Sequence, residues 1–313
     1  MNLSHQHDSE ATSHDASQSN ARTALVLGGG GAAGNAWLIG VIAGLFDAGV
    51  DVTTADLIIG TSAGVTAAAQ ITGARPTELF ASILAAAPTP APPRIPGGPV
   101  PNGQREGLER VTRVIAASEN AADMRRRMGA AAIELDAASN GSSSDGSARW
   151  RAVVAARLPG LTWPQQRVLM TAVDAETGED AILDRDSGVD LIDAVAASTS
   201  GGPAYSIGDR KYIDGGYRRN ENADLAAGYE RVLVLSPLGG RTLHPLEWRM
   251  QLSAQVEDLV ASGSRVETIL PNSNSLEAFG DNMMDLSTRP AAARAGYEQG
   301  RALADHLAQF WRG

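Results

Sequence analysis

The 313-residue chain contains no cysteine and only one lysine, Lys211. Without cysteine it has no disulfide, no thiolate zinc site and no cysteine nucleophile. The absence of disulfides also suits the cytoplasm. The formal net charge of -10 repels phosphate backbones, so nucleic acid is not expected as a partner. These absences leave a globular protein whose chemistry rests on hydroxyl, carboxylate, imidazole or backbone groups.

Long apolar runs are also missing. No stretch reaches the ~18 uninterrupted apolar residues that a membrane-spanning helix needs, and the polar residues 1–22 lack the apolar core of a secretory signal. We therefore predict a cytoplasmic protein whose membrane contact, if any, is peripheral at the inner membrane surface. Residues 1–22 are predicted to be a disordered tail. Its His5, His7 and His14 are interpreted as solvated side chains rather than metal ligands.

The order of apolar segments predicts the fold class. Thr23–Leu27 and residues 57–59 are short apolar runs typical of buried parallel strands, and a glycine-containing turn and a helix follow each. This alternation predicts a three-layer α/β/α protein with a mainly parallel central sheet. Further strands are predicted at 168–173, 181–183, 211–213, 231–235 and 266–270, and helices at 35–48, 107–138, 149–157, 189–197, 246–262 and 290–309.

The predicted domain, residues 23–313, carries a helical insertion at 88–164 that is a candidate cap or lid. The Pro- and Gly-rich beginning of this insertion argues against helix there. Residues 139–147 (SNGSSSDGS) are predicted to form a mobile loop. Three consecutive arginines, Arg125 to Arg127, flanked by Met124 and Met128, either touch anionic lipid or form a solvated helix face.

The first chemical motif is residues 60–64 (GTSAG), which matches G-x-S-x-G where a strand passes into a helix. A sharp turn there lifts Ser62 clear of the sheet, and small residues at Gly60 and Gly64 relieve its crowding. The helix that follows directs its positive end at the site. We predict that Ser62 is a nucleophile; the alternative is a glycine-rich turn with an incidental serine.

The second motif is the glycine run at 28–34. Gly29, Gly31 and Gly34 fit the dinucleotide fingerprint G-x-G-x-x-G, but the acidic residue expected about 20 positions later is missing, as is a P-loop lysine. We therefore expect no nucleotide. The alternatives are a tight turn that serves packing and an oxyanion hole, in which Gly29, Gly30, Gly31 and Gly34 let backbone N–H groups approach a substrate.

The third motif is Asp214 followed by Gly215 and Gly216. A catalytic serine needs a base, and the histidines outside the tail are His244 and His306. A direct Ser-Asp dyad avoids that need, although a carboxylate with a pKa of about 3.9 is a weak base. The sequence leaves three alternatives: a dyad with Asp214, a conventional triad using His244, and an incidental Asp-Gly turn.

In this combination and order, the three motifs resemble the patatin-like phospholipase family. The resemblance implies a dyad of Ser62 and Asp214, an oxyanion hole at 29–34, and no metal or cofactor. It implies hydrolysis of phospholipids or related acyl esters, of phospholipase A, lysophospholipase or esterase type, through an acyl-enzyme. Many members carry arginine where this chain has Ala33, so a non-catalytic lipid-binding or regulatory module is the alternative. The resembling segments are 25–45, 57–64, 196–205 and 211–222.

Overall fold

The strands of the protein form one mixed sheet in a computed structural model that describes residues 22–87, 102–138 and 143–312. The predictions for residues 1–21, 88–101 and 139–142 lie outside the described residues. The strands are β1 (Thr23–Leu27), β2 (Leu57–Thr61), β3 (Arg167–Asp174), β4 (Asp180–Leu183), β5 (Tyr205–Ile207), β6 (Arg210–Asp214), β7 (Arg231–Leu235) and β8 (Arg265–Ile269). The helices are α1 (Gly31–Asp47), α2 (Ala63–Ile71), α3 (Pro76–Ala85), α4 (Asn102–Ala116), α5 (Ala121–Ala138), α6 (Ser143–Ala155), α7 (Leu191–Ser198), α8 (Leu252–Ala261), α9 (Ser273–Phe279) and α10 (Arg289–Arg312).

The sheet has the order β5-β6-β3-β2-β1-β7-β8, and β4 also pairs with β3. The five strands β3, β2, β1, β7 and β8 run parallel, and β4, β5 and β6 make antiparallel pairs. Successive β1 residues point to opposite faces, so Leu25 and Leu27 join one apolar cluster and Ala24 and Val26 join another. Helices cover both faces, which confirms the three-layer α/β/α prediction.

Helix α1 is the central helix of the larger cluster. It is buried without interruption from Ala33 to Leu45, as expected of a helix that is apolar on all sides. Its Gly40 and α10's Gly296 lie where the two helices meet, and a Cβ at Gly296 would lie 2.5 Å from the Trp37 carbonyl oxygen. The small residues therefore allow the two backbones to approach closely.

Several predicted boundaries were wrong for local reasons. The helix predicted at 107–138 is divided into α4 and α5, because Asn120 accepts from the Asp123 amide and starts a new helix. The helix predicted at 246–262 is reduced to α8, because Arg249 takes a left-handed φ of 52° after a short 3-10 turn. Residues 143–147 of the predicted mobile loop form the first turns of α6.

The three consecutive arginines of α5 are paired with aspartates. Arg125 lies 3.9 Å from Asp180, whereas Arg126 and Arg127 both pair with Asp123. The flanking Met124 and Met128 are buried in an apolar cluster. These contacts favour the solvated-face interpretation over lipid contact. Within the described ranges, no helix combines the length and the apolarity needed to cross a membrane.

Candidate active site

The candidate nucleophile lies on a strained turn between β2 and α2. Ser62 has φ 52° and ψ −112°, a conformation that costs free energy for a residue with a side chain. A Cβ at Gly60 would lie 2.6 Å from the Val65 Cα, and one at Gly64 would overlap the Leu27 carbonyl oxygen. The turn therefore requires both glycines, and α2 begins directly after the serine, with its N-terminus at the site.

The register along β3 brings the serine and the aspartate together. Thr61, the last residue of β2, pairs with Thr171, and Asp214, the last residue of β6, pairs with the adjacent Ala172. The ends of these two strands therefore meet side by side. Ser62 Oγ donates a hydrogen bond to Asp214 Oδ2 at 2.7 Å.

The environment of Asp214 makes it more basic than an ordinary aspartate. The carboxyl is largely withdrawn from water, and this desolvation raises its pKa to about 6. Hydrogen bonds from the Gly216 amide, at 2.7 Å, and from Ser62 act in the opposite direction. Burial and the charge of Asp214 raise the pKa of Tyr217 to about 12, so this neighbouring phenol stays neutral.

Asn222 connects the ends of these strands and was not identified from the sequence. It is fully buried with a left-handed φ of 56°. Its Nδ2 donates to Thr61 Oγ1 at 2.9 Å, to Thr171 Oγ1 at 3.1 Å and to the Gly215 carbonyl at 3.2 Å. This network fixes the two turns that carry Ser62 and Asp214. In the sequence, the one feature that points to Asn222 is its position eight residues after Asp214.

The glycine run lies beside the serine, and its N–H groups differ in their partners. A Cβ at Gly29 would lie 3.7 Å from Ser62 Cβ. The Gly29 amide donates to the Asn220 carbonyl at 2.8 Å, and the Gly34 amide donates to the Gly30 carbonyl at 2.9 Å. In the part of the chain that the structure describes, the amides of Gly30 and Gly31 have no such acceptor. They are the candidate oxyanion donors of this run.

A cavity of about 1930 Å³ opens beside these groups and is lined by Ser62, Asp214 and Gly31. It exceeds the roughly 300–1,000 Å³ of an ordinary small-molecule pocket. Helices α3, α4 and the segment after α6 supply apolar walls, so described residues within the predicted 88–164 insertion contribute to the cavity. The apolar lining includes Leu79, Ile83, Leu84, Leu108, Val111 and Leu158.

The two histidines of the described part have partners elsewhere. His244 Nδ1 lies 2.7 Å from Thr242 Oγ1, and burial lowers the pKa of its ring to about 4. His306 Nε2 lies 3.1 Å from Glu267. Neither imidazole bonds with Ser62, so the triad alternative has no geometric support. His5, His7 and His14 lie outside the described residues.

A mainly parallel α/β fold with a serine on a strained strand-to-helix turn is typical of serine hydrolases. The family model described as Patatin-like phospholipase matches residues 25–227. The chain therefore belongs to the patatin-like phospholipase family, which confirms the resemblance and supports lipid hydrolase activity. A search of curated proteins gives no match.

VipD and ExoU are two of the solved structures that resemble the chain. VipD from Legionella pneumophila has 14% identity and a TM-score of 0.40, and the likeness covers 92% of this chain and 67% of VipD. The type III effector protein ExoU has 16% identity and a TM-score of 0.35, with coverage of 93% of this chain and 53% of ExoU. The chain thus spans about half of the ExoU length.

Proposed function

We propose that this protein is a lipid acyl hydrolase of phospholipase A, lysophospholipase or esterase type, with Ser62 as nucleophile and Asp214 as general base. The observation that carries the proposal is the 2.7 Å hydrogen bond from Ser62 Oγ to Asp214 Oδ2 beside a large apolar cavity. Membership of the patatin-like phospholipase family supports a lipid substrate. Such a substrate also favours peripheral contact with a membrane surface.

In the proposed reaction, Ser62 Oγ attacks the ester carbonyl carbon as its proton passes to Asp214 Oδ2. Negative charge develops on the carbonyl oxygen, where the amides of Gly30 and Gly31 and the N-terminus of α2 stabilise it. The tetrahedral intermediate expels the alcohol, which takes the proton from Asp214. A water molecule then attacks the acyl-enzyme as its proton passes to Asp214. The second tetrahedral intermediate expels Ser62 Oγ, which takes that proton back from Asp214, and the fatty acid is released.

The raised pKa of Asp214 fits this role. With a pKa of about 6, the carboxyl is mainly ionised at neutral pH and yet holds a proton more firmly than an ordinary aspartate. General bases work best when their pKa lies near the operating pH. Desolvation of Asp214 therefore offsets part of the weakness expected of an aspartate without a histidine.

The test is labelling with a fluorophosphonate probe followed by peptide mass mapping, together with hydrolysis of a fluorogenic acyl ester. We expect label on Ser62, and loss of both label and turnover in Ser62→Ala. Ser187→Ala is the matched control, because this serine is exposed and bonds to the Asp184 carbonyl away from the cavity. Unchanged hydrolysis by Ser62→Ala would refute the proposal.

A second candidate is a non-catalytic lipid-binding or regulatory module on the same fold. It is favoured by Ala33, which is fully buried and stands where many family members carry arginine. Binding of phospholipid vesicles by a folded protein, with no label on Ser62 and no turnover of any ester, would select this function over hydrolysis.

A further inference from the structure

Four arginines line the same cavity as Ser62, and one polar network connects the segments of two of them, Arg157 and Arg289. Arg289 is the first residue of α10, and Arg157 follows α6. No ion pair within residues 22–87, 102–138 and 143–312 includes either arginine. Burial, and secondly the positive charge of Arg157, lower the pKa of Arg289. Both arginines therefore place positive charge on the lining of this cavity.

A buried polar network connects the segments that carry these cations. Arg289 Nη1 donates to the Ala32 carbonyl at 3.1 Å and to Asn35 Oδ1 at 2.9 Å. Asn35 Nδ2 donates to Gln70 Oε1 at 3.0 Å, and Gln70 Nε2 donates to the Arg157 carbonyl at 3.0 Å. Since Asn35 and Gln70 are 4% and 9% exposed, this wall of the cavity is well packed.

Most guanidinium donors of these two arginines have no acceptor among the residues with described side chains. Arg157 lies over the ring of Trp150, with 5.3 Å from its Cζ to the ring centroid, and this cation–π contact uses none of its N–H donors. Trp150 is itself held by a 3.2 Å hydrogen bond to the Ala196 carbonyl. Arg289 uses Nη1 alone, so its Nε and Nη2 have no acceptor among the residues with described side chains.

An anion in contact with both arginines offsets the positive charge that they place in a mainly apolar cavity. Guanidinium groups match phosphate and carboxylate oxygens by paired, charge-assisted hydrogen bonds. Arg289 also donates to the carbonyl of Ala32, which places this arginine next to the glycine run that lies beside Ser62. Arg289 lies beyond residues 25–227, which the family model matches.

We propose that Arg157 and Arg289 form an anion subsite for an oxyanion of the lipid bound beside Ser62. The oxyanion is either the phosphate of a lipid headgroup or the carboxylate of the released fatty acid. This inference rests on the proposed acyl hydrolase function, since it assigns the polar end of that substrate or product to one wall of the cavity.

The first test compares two esters with the same acyl chain, a monoacylglycerol phosphate and the neutral monoacylglycerol. For a headgroup subsite, we expect the wild type to prefer the phosphate ester in kcat/KM by about tenfold or more, which is the effect of one charge-assisted hydrogen bond. The ratio should fall towards one in Arg157→Gln. Arg185→Gln is the control, because it removes the same charge from an exposed arginine whose hydrogen bonds, within the described part of the chain, go to Gln165.

The second arm is inhibition by the free fatty acid. If the subsite holds the carboxylate of the product, the wild type shows no preference between the esters, but Arg157→Gln weakens fatty-acid inhibition about tenfold. Arg289→Gln should show the same changes in ratio or inhibition, together with slower turnover of both esters because it also releases the Ala32 carbonyl. If Arg289→Gln does not fold, Arg157→Gln alone tests the subsite, because it leaves the contact with the Ala32 carbonyl intact.

A binding measurement separates this inference from the proposed activity. Calorimetric titration of Ser62→Ala protein with a monoalkyl phosphate and with the fatty acid needs no turnover. We expect one of the two ligands to bind about tenfold more weakly when Arg157→Gln is added. Equal binding of both ligands with and without Arg157→Gln would overturn the anion subsite, even if Ser62 is labelled and esters are cleaved. Lost labelling with intact anion binding would instead overturn the hydrolase.

Discussion

Replacing Asp214 by asparagine tests the candidate dyad with little change in shape. Asparagine has nearly the same volume and keeps an oxygen that can accept from the Gly216 amide, as Asp214 Oδ1 does at 2.7 Å. It retains a possible hydrogen bond with Ser62 Oγ, but an amide does not take up the proton. The substitution therefore removes basicity and leaves the local packing in place.

The expected loss follows from the chemistry of the removed group. With a pKa of about 6, Asp214 is about nine-tenths ionised at pH 7 in the wild type. Positioned general bases contribute about 10²- to 10⁴-fold. We therefore expect kcat/KM of Asp214→Asn to fall by about 10²- to 10⁴-fold at pH 8, measured with a fluorogenic acyl ester under conditions where substrate is well below KM.

The same carboxyl sets the pH dependence of the wild type. Because the reaction needs the ionised form, kcat/KM should rise with pH, reach half its plateau near pH 6 and fall about tenfold per pH unit below it. An unperturbed aspartate would put this midpoint at about 3.9. A midpoint near 4 would show that desolvation of Asp214 does not govern the activity.

Stability should depend on pH in the opposite direction to kcat/KM, so that it falls as the pH rises. Folding raises the pKa of Asp214, so its contribution to stability is full below about pH 4 and is lost as the pH rises through about 6. Asparagine carries no charge into the site. The free energy of unfolding of Asp214→Asn should therefore be about 1–3 kcal/mol higher than that of the wild type at pH 8. Urea denaturation measures this difference.

Asp209→Asn is the matched control, since Asp209 is exposed in the turn between β5 and β6 and shares the hairpin with Asp214. It should leave kcat/KM within about twofold, because surface substitutions have small effects. If Asp214→Asn retained wild-type activity while remaining folded, Asp214 would not be the base, and the direct dyad would be rejected.

Three further predictions concern other residues. Burial raises the pKa of Glu221 from 4.5 to about 7. The free energy of unfolding should therefore fall by about 3 kcal/mol as the pH rises from 4.5 to about 7. In urea denaturation, Glu221→Gln should weaken this dependence of the unfolding free energy on pH. Gly64→Ala should destabilise the fold by about 1–3 kcal/mol, because the added Cβ would overlap the Leu27 carbonyl oxygen. The control is Gly146→Ala in α6, which should not destabilise the fold because no atom lies within 4 Å of its added Cβ. Thermal unfolding compares the two variants. His244→Ala should leave ester hydrolysis intact, and a loss comparable to that of the serine variant would restore the triad alternative.

Much of the architecture could be predicted because the signals are local. The apolar run at 231–235 predicts β7 at its observed bounds, Arg231–Leu235. A short apolar segment followed by glycine and a helix predicts each of β1 and β2. Alternation of strands and helices is enough to predict a parallel sheet, since parallel strands need a crossover between them. The serine at the strand-to-helix turn follows from the same short-range pattern.

Some errors arose where a few residues override a helical pattern, and others are short elements that the sequence analysis did not predict. Asn120 starts a new helix and Arg249 turns the chain into a left-handed conformation, and neither effect is visible in apolar periodicity. Helix α3 was missed although Pro76 stands at its beginning, a position that favours proline. The short strand β5 was missed because three residues carry too little periodicity.

The amino-acid sequence by itself determined the strand-turn-helix that carries Ser62, the glycine run beside it and the aspartate that ends another strand, since each depends on neighbouring residues. Only the tertiary structure decided that Asp214, 152 residues away, reaches Ser62 Oγ, because this depends on the register of two strands along β3. It also decided that Arg289 reaches the Ala32 carbonyl across 257 residues, by the packing of α10 on α1. Local patterns do not encode such distances, which arise when the layers of the fold pack together.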